Sequence, residues 1–303
     1  MALHFRRLWQ LSATEAADRL GFAARRLRSV GAGVLIGSTC LGVAPAVAVD
    51  GTWTGATNSD WNTDTNWSPG PTPTNTASFA NNGAPTSVSI GNLTSINTIK
   101  FGAGAPTYSF TFVTSINQTF NINGAGIIND SSNAPIFGPG PIFFKNSSSA
   151  GNAILSTVEF DDSSTAGAAT INNTNVTGTG AEFTGLSSAG NATITTNNLS
   201  VTGFFNSSTG GNASITTNSG GRTQFFEQAT GGQASFVTKI GGVVDFSFTS
   251  GPGSLNQVSA GSISGAGNYF LGGRTSRPAA ITFRQRSVGS SPMAAPAVVQ
   301  ALP

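Results

Sequence analysis

The sequence has little charge: only 9% of its 303 residues are Asp, Glu, Lys or Arg, against roughly a quarter in a typical soluble protein. Gly, Ser, Thr, Asn and Ala fill the place of charge. Gly, Ser, Thr and Asn disfavour helix, because Gly costs backbone entropy and the polar side chains compete for backbone hydrogen bonds. Disordered chains are usually poor in aromatic residues, whereas this chain contains 21 Phe. The composition therefore predicts an ordered protein with little helix.

Clusters of basic residues are missing from the body of the chain. Between Asp50 and Gly273 there are four Lys or Arg against ten Asp or Glu, a net charge of −6, although the whole chain carries +2. A nucleic-acid-binding protein needs clustered Lys or Arg to neutralise phosphates. We therefore expect no nucleic acid among the partners.

The sequence also lacks the roughly 20 consecutive apolar residues that a membrane-spanning helix needs. Its most apolar run, 30–44, contains four glycines, follows an Arg-rich stretch and precedes Ala46-Val47-Ala48. This order of basic, apolar and small residues is typical of a secretory signal peptide. We predict a helical signal segment over 1–48, cleaved between Ala48 and Val49, and no transmembrane segment in the mature chain. An N-terminal membrane anchor is the alternative.

Histidine and cysteine occur once each, as His4 and Cys40, and both lie in the predicted signal segment. A mature chain without them has no disulfide, no Ser-His-Asp or Cys-His mechanism and no His-ligated zinc. Phosphate-binding GxxxxGK[ST] and calcium-binding GGxGxD motifs are missing as well. We therefore expect no metal, no cofactor and no catalytic residues.

A repeating motif fills the middle of the chain. One or two Phe lead into Ser or Thr, then Gly, Asn and Ala, and then a short alternating stretch, as in Phe183 to Ile194 and Phe204 to Ile215. Equivalent positions are about 21 residues apart, a period that predicts a solenoid. Clusters of Gly, Asn and Ser supply the turns between short β segments.

The predicted fold is all-β, a right-handed parallel β-helix with about 21 residues per coil. Coils stacked about 4.8 Å apart would place Phe on Phe and Asn on Asn. The alternative is a β-sandwich or a string of small β domains, neither of which requires a strict repeat.

Three tryptophans open the predicted mature chain, at Trp53, Trp61 and Trp67, and Pro73 and Phe79 follow them. They are expected to cap the first coil, because a solenoid needs an atypical terminal unit. The alternative is an aromatic platform for a sugar.

Several of these segments resemble bacterial autotransporter passengers. The spacing of Trp, Trp, Trp, Pro and Phe resembles their opening segment, and the Phe-plus-Ser-Ser-x-x-Gly-Asn-Ala-x-Ile unit resembles their repeats. The segment 261–272 resembles the stretch before the autotransporter-associated strand repeat. The resemblance covers about residues 50 to 273 and implies a type V secreted passenger, threaded through an outer-membrane β-barrel and displayed on a Gram-negative cell.

The composition changes after Gly273, where Arg, Ala and Pro replace the repeat and no series of barrel-type strands follows. A frameshift or truncation of the gene would explain the change, and it would leave a product without its own C-terminal translocator. The predicted segments are a signal peptide (1–48), a Trp-containing cap with the first coils (49–142), a repetitive solenoid (143–273) and an atypical disordered tail (274–303).

Four acidic residues are the only candidates for catalysis: Glu159, Asp161, Asp162 and Glu182. β-Helices also include polysaccharide lyases and hydrolases, so this class stays open. Asp161 and Asp162 are adjacent, and adjacent strand residues face opposite sides, so we expect no convergent acid–base pair from them.

The sequence thus predicts a non-enzymatic surface protein with an adhesive or structural role. A polysaccharide-binding or polysaccharide-processing β-helix is the alternative. The expected partners are the export machinery and a host surface or polysaccharide. The expected location is beyond the inner membrane, at the cell surface if a translocator is supplied and otherwise in the periplasm.

Overall fold

A computed structural model describes residues 47–112, 119–138, 140, 142–174, 178–255, 257–271, 280–283 and 299–300. Two parallel sheets dominate the described residues, and the strands are numbered in chain order. Sheet A has thirteen strands. They are β1 (Gly51–Trp53), β2 (Trp67–Ser68), β3 (Thr76–Phe79), β5 (Thr94–Phe101), β7 (Phe120–Asn129), β9 (Ile142–Phe144), β11 (Val158–Phe160), β13 (Gly178–Phe183), β15 (Ser200–Phe204), β17 (Arg222–Glu227), β19 (Val243–Thr249), β22 (Asn268–Phe270) and β24 (Val299–Gln300).

Sheet B has nine strands, which alternate with those of sheet A along the chain. They are β4 (Ser87–Ile90), β6 (Ser109–Phe112), β8 (Ile136–Phe137), β10 (Ile154–Leu155), β12 (Thr170–Asn173), β14 (Thr193–Thr196), β16 (Ser214–Thr217), β18 (Ser235–Thr238) and β21 (Ser262–Gly265). A separate pair joins β20 (Gln257–Ala260) to β23 (Ala280–Phe283). Within the described residues, helix is limited to two single 3₁₀ turns, at Asp64–Asn66 and Pro252–Ser254.

Each strand pairs in parallel with the strand one coil away, except for the antiparallel pair of β1 and β2. A third row of single-residue parallel bridges joins the turns between the two sheets, from Gly126 to Thr230. This pairing confirms the predicted parallel β-solenoid and excludes the β-sandwich. The solenoid has about nine turns of roughly 22 residues.

Each strand of sheet A from β9 to β19 places one Phe in the core, and some of these strands add a second apolar side chain, such as Val158 or Val244. A stack of inward phenylalanines follows sheet A, with centroids 4.4 to 5.0 Å apart; it contains Phe144, Phe160, Phe183, Phe204, Phe225 and Phe246. Sheet B opposes it with buried Leu155, Ile171, Ile194, Ile215 and Phe236. The centroid distances confirm the predicted Phe-on-Phe stacking. Buried alanines complete the core.

The coil length is set by the turns. Between Phe183, Phe204 and Phe225 it is constant, and each Phe is the direct register partner of the next. The turn glycines of successive coils, including Gly190, have positive φ. A Cβ on Gly190 would lie 2.7 Å from the carbonyl oxygen of Gly167 in the preceding coil, so stacking requires glycine there.

Three predictions fall wholly or mostly on residues outside this description. Of the helical signal segment 1–48 only Val47 and Ala48 are described, and the alternative membrane anchor lies wholly outside the described residues. Of the predicted tail 274–303, only β23 and β24 are described.

Candidate binding surface

The three tryptophans of the first coils lie inside the fold. Trp53 and Trp61 are fully buried and Trp67 is nearly so. The Trp53 indole donates to the carbonyl of Pro85 at 2.8 Å, and the Trp67 indole donates to the carbonyl of Trp61 at 2.7 Å. Their rings pack on one another and on Phe79. They belong to the core of the first coils, and because they are buried they offer no ring face to a sugar.

The outward side of sheet A brings two of the candidate carboxylates together. Glu159 on β11 and Glu182 on β13 are direct register partners, and Phe143 on β9 is the partner of Glu159 on the other side. Each glutamate comes directly before an inward Phe of the repeat. Their shared position before the inward Phe is the signal from which the pairing could have been predicted. The repeat as defined by its turn residues does not show this pairing.

Glu159 is half-buried on this surface. Burial raises the pKa of its carboxyl to about 7, with smaller upward contributions from the charges of Glu182 and Asp161, and Lys145 acts in the opposite direction. The Lys145 ammonium lies 5.7 Å from the centre of the Phe143 ring. A carboxyl that exchanges its proton near neutral pH, beside a second carboxyl, is chemically suited to general acid–base work.

The other two candidates do not join this pair in a shared site. Asp161 accepts a hydrogen bond from the Thr184 hydroxyl at 2.7 Å, toward the following coil. Asp162 accepts from the backbone N–H of Asn146 at 2.9 Å, toward the preceding coil. The expectation that these adjacent carboxylates do not converge is confirmed, since in the turn after Phe160 they bond to opposite neighbouring coils.

A second phenylalanine stack runs outside the solenoid. Phe205 and Phe226 have ring centroids 4.8 Å apart and nearly parallel planes, and Phe248 continues the stack at 5.4 Å. The Phe205 ring lies against Gly203, the position that aligns with Glu182. The side chain of Phe248 is 52% exposed. Sheet A therefore presents carboxylates on its central coils and aromatic rings on its later ones.

The predicted cleavage site lies where the described fold begins. Ala48 is exposed and belongs to no strand. The Val49 carbonyl accepts hydrogen bonds from the backbone N–H groups of Thr74 and Asn75, at 2.9 and 2.8 Å. A chain that begins at Val49 would thus be attached to the solenoid from its first residue.

Other site types have little support in the described part of the chain. A cavity of about 220 Å³ lies beside β20 and is lined by Thr230, Pro252, Leu255, Gln257, Val258 and Ser259, none of them ionisable. Among the described residues, no group of three or more His, Cys, Asp or Glu side chains is arranged to hold a metal ion. The described residues also include no helix long and apolar enough to cross a membrane.

Comparison with known proteins gave no match among protein-family models, curated proteins or solved structures.

Proposed function

We propose that this chain is an exported, non-catalytic passenger of the autotransporter type, with adhesion or surface coverage as its role. One observation carries the proposal: successive coils stack in register, so their exposed polar positions recur once per coil along the solenoid. A surface that repeats in this way can make many weak contacts at once, and such contacts combine into strong attachment.

Two further observations support the export part of the proposal. The order of basic, apolar and small residues before Val49 is typical of a secretory signal. The exposed Ala48 lies directly before Val49, whose carbonyl is hydrogen-bonded to Thr74 and Asn75. A cut after Ala48 would therefore leave the hydrogen bonds of Val49 in place.

Export is tested by expressing the full chain in a Gram-negative host, followed by cell fractionation and N-terminal sequencing. We expect a periplasmic product that begins at Val49. Ala48→Arg should block cleavage, because signal peptidase requires a small residue before the cut. Val47→Arg is the matched control and should still be cleaved. Full-length wild-type chain in the cytoplasm would contradict export.

Adhesion is tested separately, by displaying the full chain through a fused outer-membrane barrel. We expect displaying cells to be retained on polysaccharide-coated or host-cell surfaces more strongly than cells that carry the barrel alone. Equal retention would contradict the adhesive role. Surface coverage would then be the role to test, by measuring whether displaying cells are protected from added protease.

A polysaccharide-binding or polysaccharide-processing β-helix is the second candidate function. The adjacent Glu159 and Glu182, together with the pKa of about 7 at Glu159, favour it. Incubation of the full chain with acidic and neutral polysaccharides, followed by end-group analysis, tests it. Cleavage that is lost in Glu159→Gln would establish processing. Cleavage that survives in this variant would place the activity elsewhere.

A further inference from the structure

The outward side of sheet B carries a regular array of small polar side chains. Its clearest part spans five strands, β12, β14, β16, β18 and β21, and has two outward positions on each strand. We call these ten positions the hydroxyl array; they are Thr170, Asn172, Thr193, Thr195, Ser214, Thr216, Ser235, Val237, Ser262 and Ser264. Eight of the ten have a hydroxyl group, and all ten are exposed or half-buried.

The array is regular because sheet B keeps its register. Thr193 aligns with Ser214 and then Ser235, and Thr195 aligns with Thr216 and then Val237, with no shift between strands. Sheet A, in contrast, has register shifts at three of its strand pairs. The hydroxyl array is therefore a two-dimensional lattice of aligned rows rather than a single stripe.

The lattice has two characteristic spacings. Rings stacked on the opposite sheet of the same coils are 4.6 to 4.9 Å apart, which gives the distance from strand to strand. Alternate residues along a strand are about 6.6 Å apart, from a rise of about 3.3 Å per residue. The prism faces of hexagonal ice repeat in two perpendicular directions, with a shorter oxygen–oxygen period close to the strand spacing and a longer one somewhat above the spacing along a strand.

The chemistry of this side of the sheet favours frozen water over a single tightly bound sugar chain. Among the described residues, no outward position of sheet B is charged or aromatic; the positions before the array are Ser87, Ser89, Ser109, Thr111, Ile136 and Ile154. A polysaccharide chain would be expected to use aromatic rings or charged groups, and these lie on sheet A. A threonine offers one hydroxyl, which can bond an ordered water, and one methyl group, which leaves neighbouring waters bonded to each other.

We propose that the hydroxyl array is an ice-binding surface. Its hydroxyl groups hold a layer of water in positions that match the prism face, and the growing crystal incorporates that layer. The inference goes beyond the proposed function and does not depend on it, since an unexported chain would bind ice equally well. The ligand is the ice lattice itself, with no cofactor or second protein.

The test measures thermal hysteresis and the shape of ice crystals grown in a solution of the purified full chain. We expect a gap between the melting and freezing points, together with faceted crystals. Thr216→Lys should lose most of this gap, because a strongly hydrated ammonium would disrupt the water layer in the middle of the array. Gln224→Lys is the matched control, since it adds the same side chain to the same coil on sheet A.

A further variant tests the array from the opposite direction. Val237→Thr adds a hydroxyl at the one aliphatic position, and we expect it to widen the gap. Circular dichroism and thermal unfolding establish that every variant is folded. The proposal is overturned by a wild-type chain without hysteresis, by equal losses in Thr216→Lys and Gln224→Lys, or by binding to crystalline chitin or cellulose without binding to ice.

Discussion

Two phenylalanine stacks run along sheet A, one inside the solenoid and one outside it. Inside, Phe183, Phe204 and Phe225 stack at 4.7 and 4.6 Å and are fully buried. Outside, Phe205 and Phe226 stack at 4.8 Å but are only half-buried. The spacing is the same on both sides because the backbone ladder sets it. The difference between the two stacks is therefore burial, and burial should determine what each one contributes to stability.

The largest expected effect breaks the inner stack. Phe183→Ala removes a fully buried ring and leaves a cavity, which costs about 3–5 kcal/mol of unfolding free energy. Phe226→Ala is the matched change on the outer stack, and its cost should be about 1 kcal/mol because the ring is partly solvated already. Urea unfolding of both variants measures the two costs. Equal costs would mean that stacking, rather than burial, stabilises these coils.

The comparison also shows how far the sequence could predict the fold. The repeat predicted the solenoid and the stacking, because each inward Phe recurs at a fixed place before the turn. A Phe-Phe pair on its own does not show which ring lies inside, because the inward Phe is the one that lies two residues before the positive-φ turn residue. Phe144 is buried and Phe143 is not, whereas Phe204 is buried and Phe205 is not. Which Phe points inward therefore depends on its distance from the turn that follows.

The candidate carboxylates were predicted in part. All four were identified, and the divergence of Asp161 and Asp162 was expected, but the pairing of Glu159 with Glu182 was not. The raised pKa of Glu159 depends chiefly on burial against neighbouring coils. That burial depends on register, which a repeat of uneven length does not fix. The signal segment, the export and the passenger role stay predictions.

The second expected effect concerns Glu159 and tests whether its half-buried carboxyl on the outer side of sheet A is poorly solvated. The pKa of its carboxyl is about 7 in the fold, against an ordinary value of 4.5, so the folded state holds the proton more tightly. Its contribution is therefore most favourable below pH 4.5, and it is lost as the pH rises toward 7. At pH 8, Glu159→Gln should raise the unfolding free energy by about 1–2 kcal/mol, after allowance for solvent screening.

Chemical unfolding of wild type and Glu159→Gln at pH 4 and pH 8 measures this effect. The two proteins should have similar stability at pH 4. Glu227→Gln is the control, because the Glu227 carboxylate lies at the exposed end of β17 and accepts hydrogen bonds from Asn206 at 2.6 and 2.7 Å. That variant should not be stabilised at pH 8. If Glu159→Gln gains nothing at pH 8, the outer side of sheet A is more fully solvated than its burial indicates.

The smallest expected effect tests whether the interior must be apolar. Four serines occupy the same buried corner in successive coils, and their hydroxyls have no hydrogen-bond partner among the described residues; they are Ser148, Ser164, Ser187 and Ser208. Ala229 occupies this corner in the next coil. A buried hydroxyl without a partner costs free energy. Ser164→Ala should therefore be neutral or stabilising, by up to about 1 kcal/mol.

Thermal unfolding of Ser164→Ala against wild type measures this, and Ala229→Ser is the reciprocal control, expected to destabilise by a similar amount. A loss of stability in Ser164→Ala would mean that internal water bonds the serine hydroxyls, since a water with several polar partners is costly to remove. In that case the corner would be a hydrated channel along the solenoid. The contrast between the two sides of sheet A would then lie in which groups bind water, rather than in whether water is present.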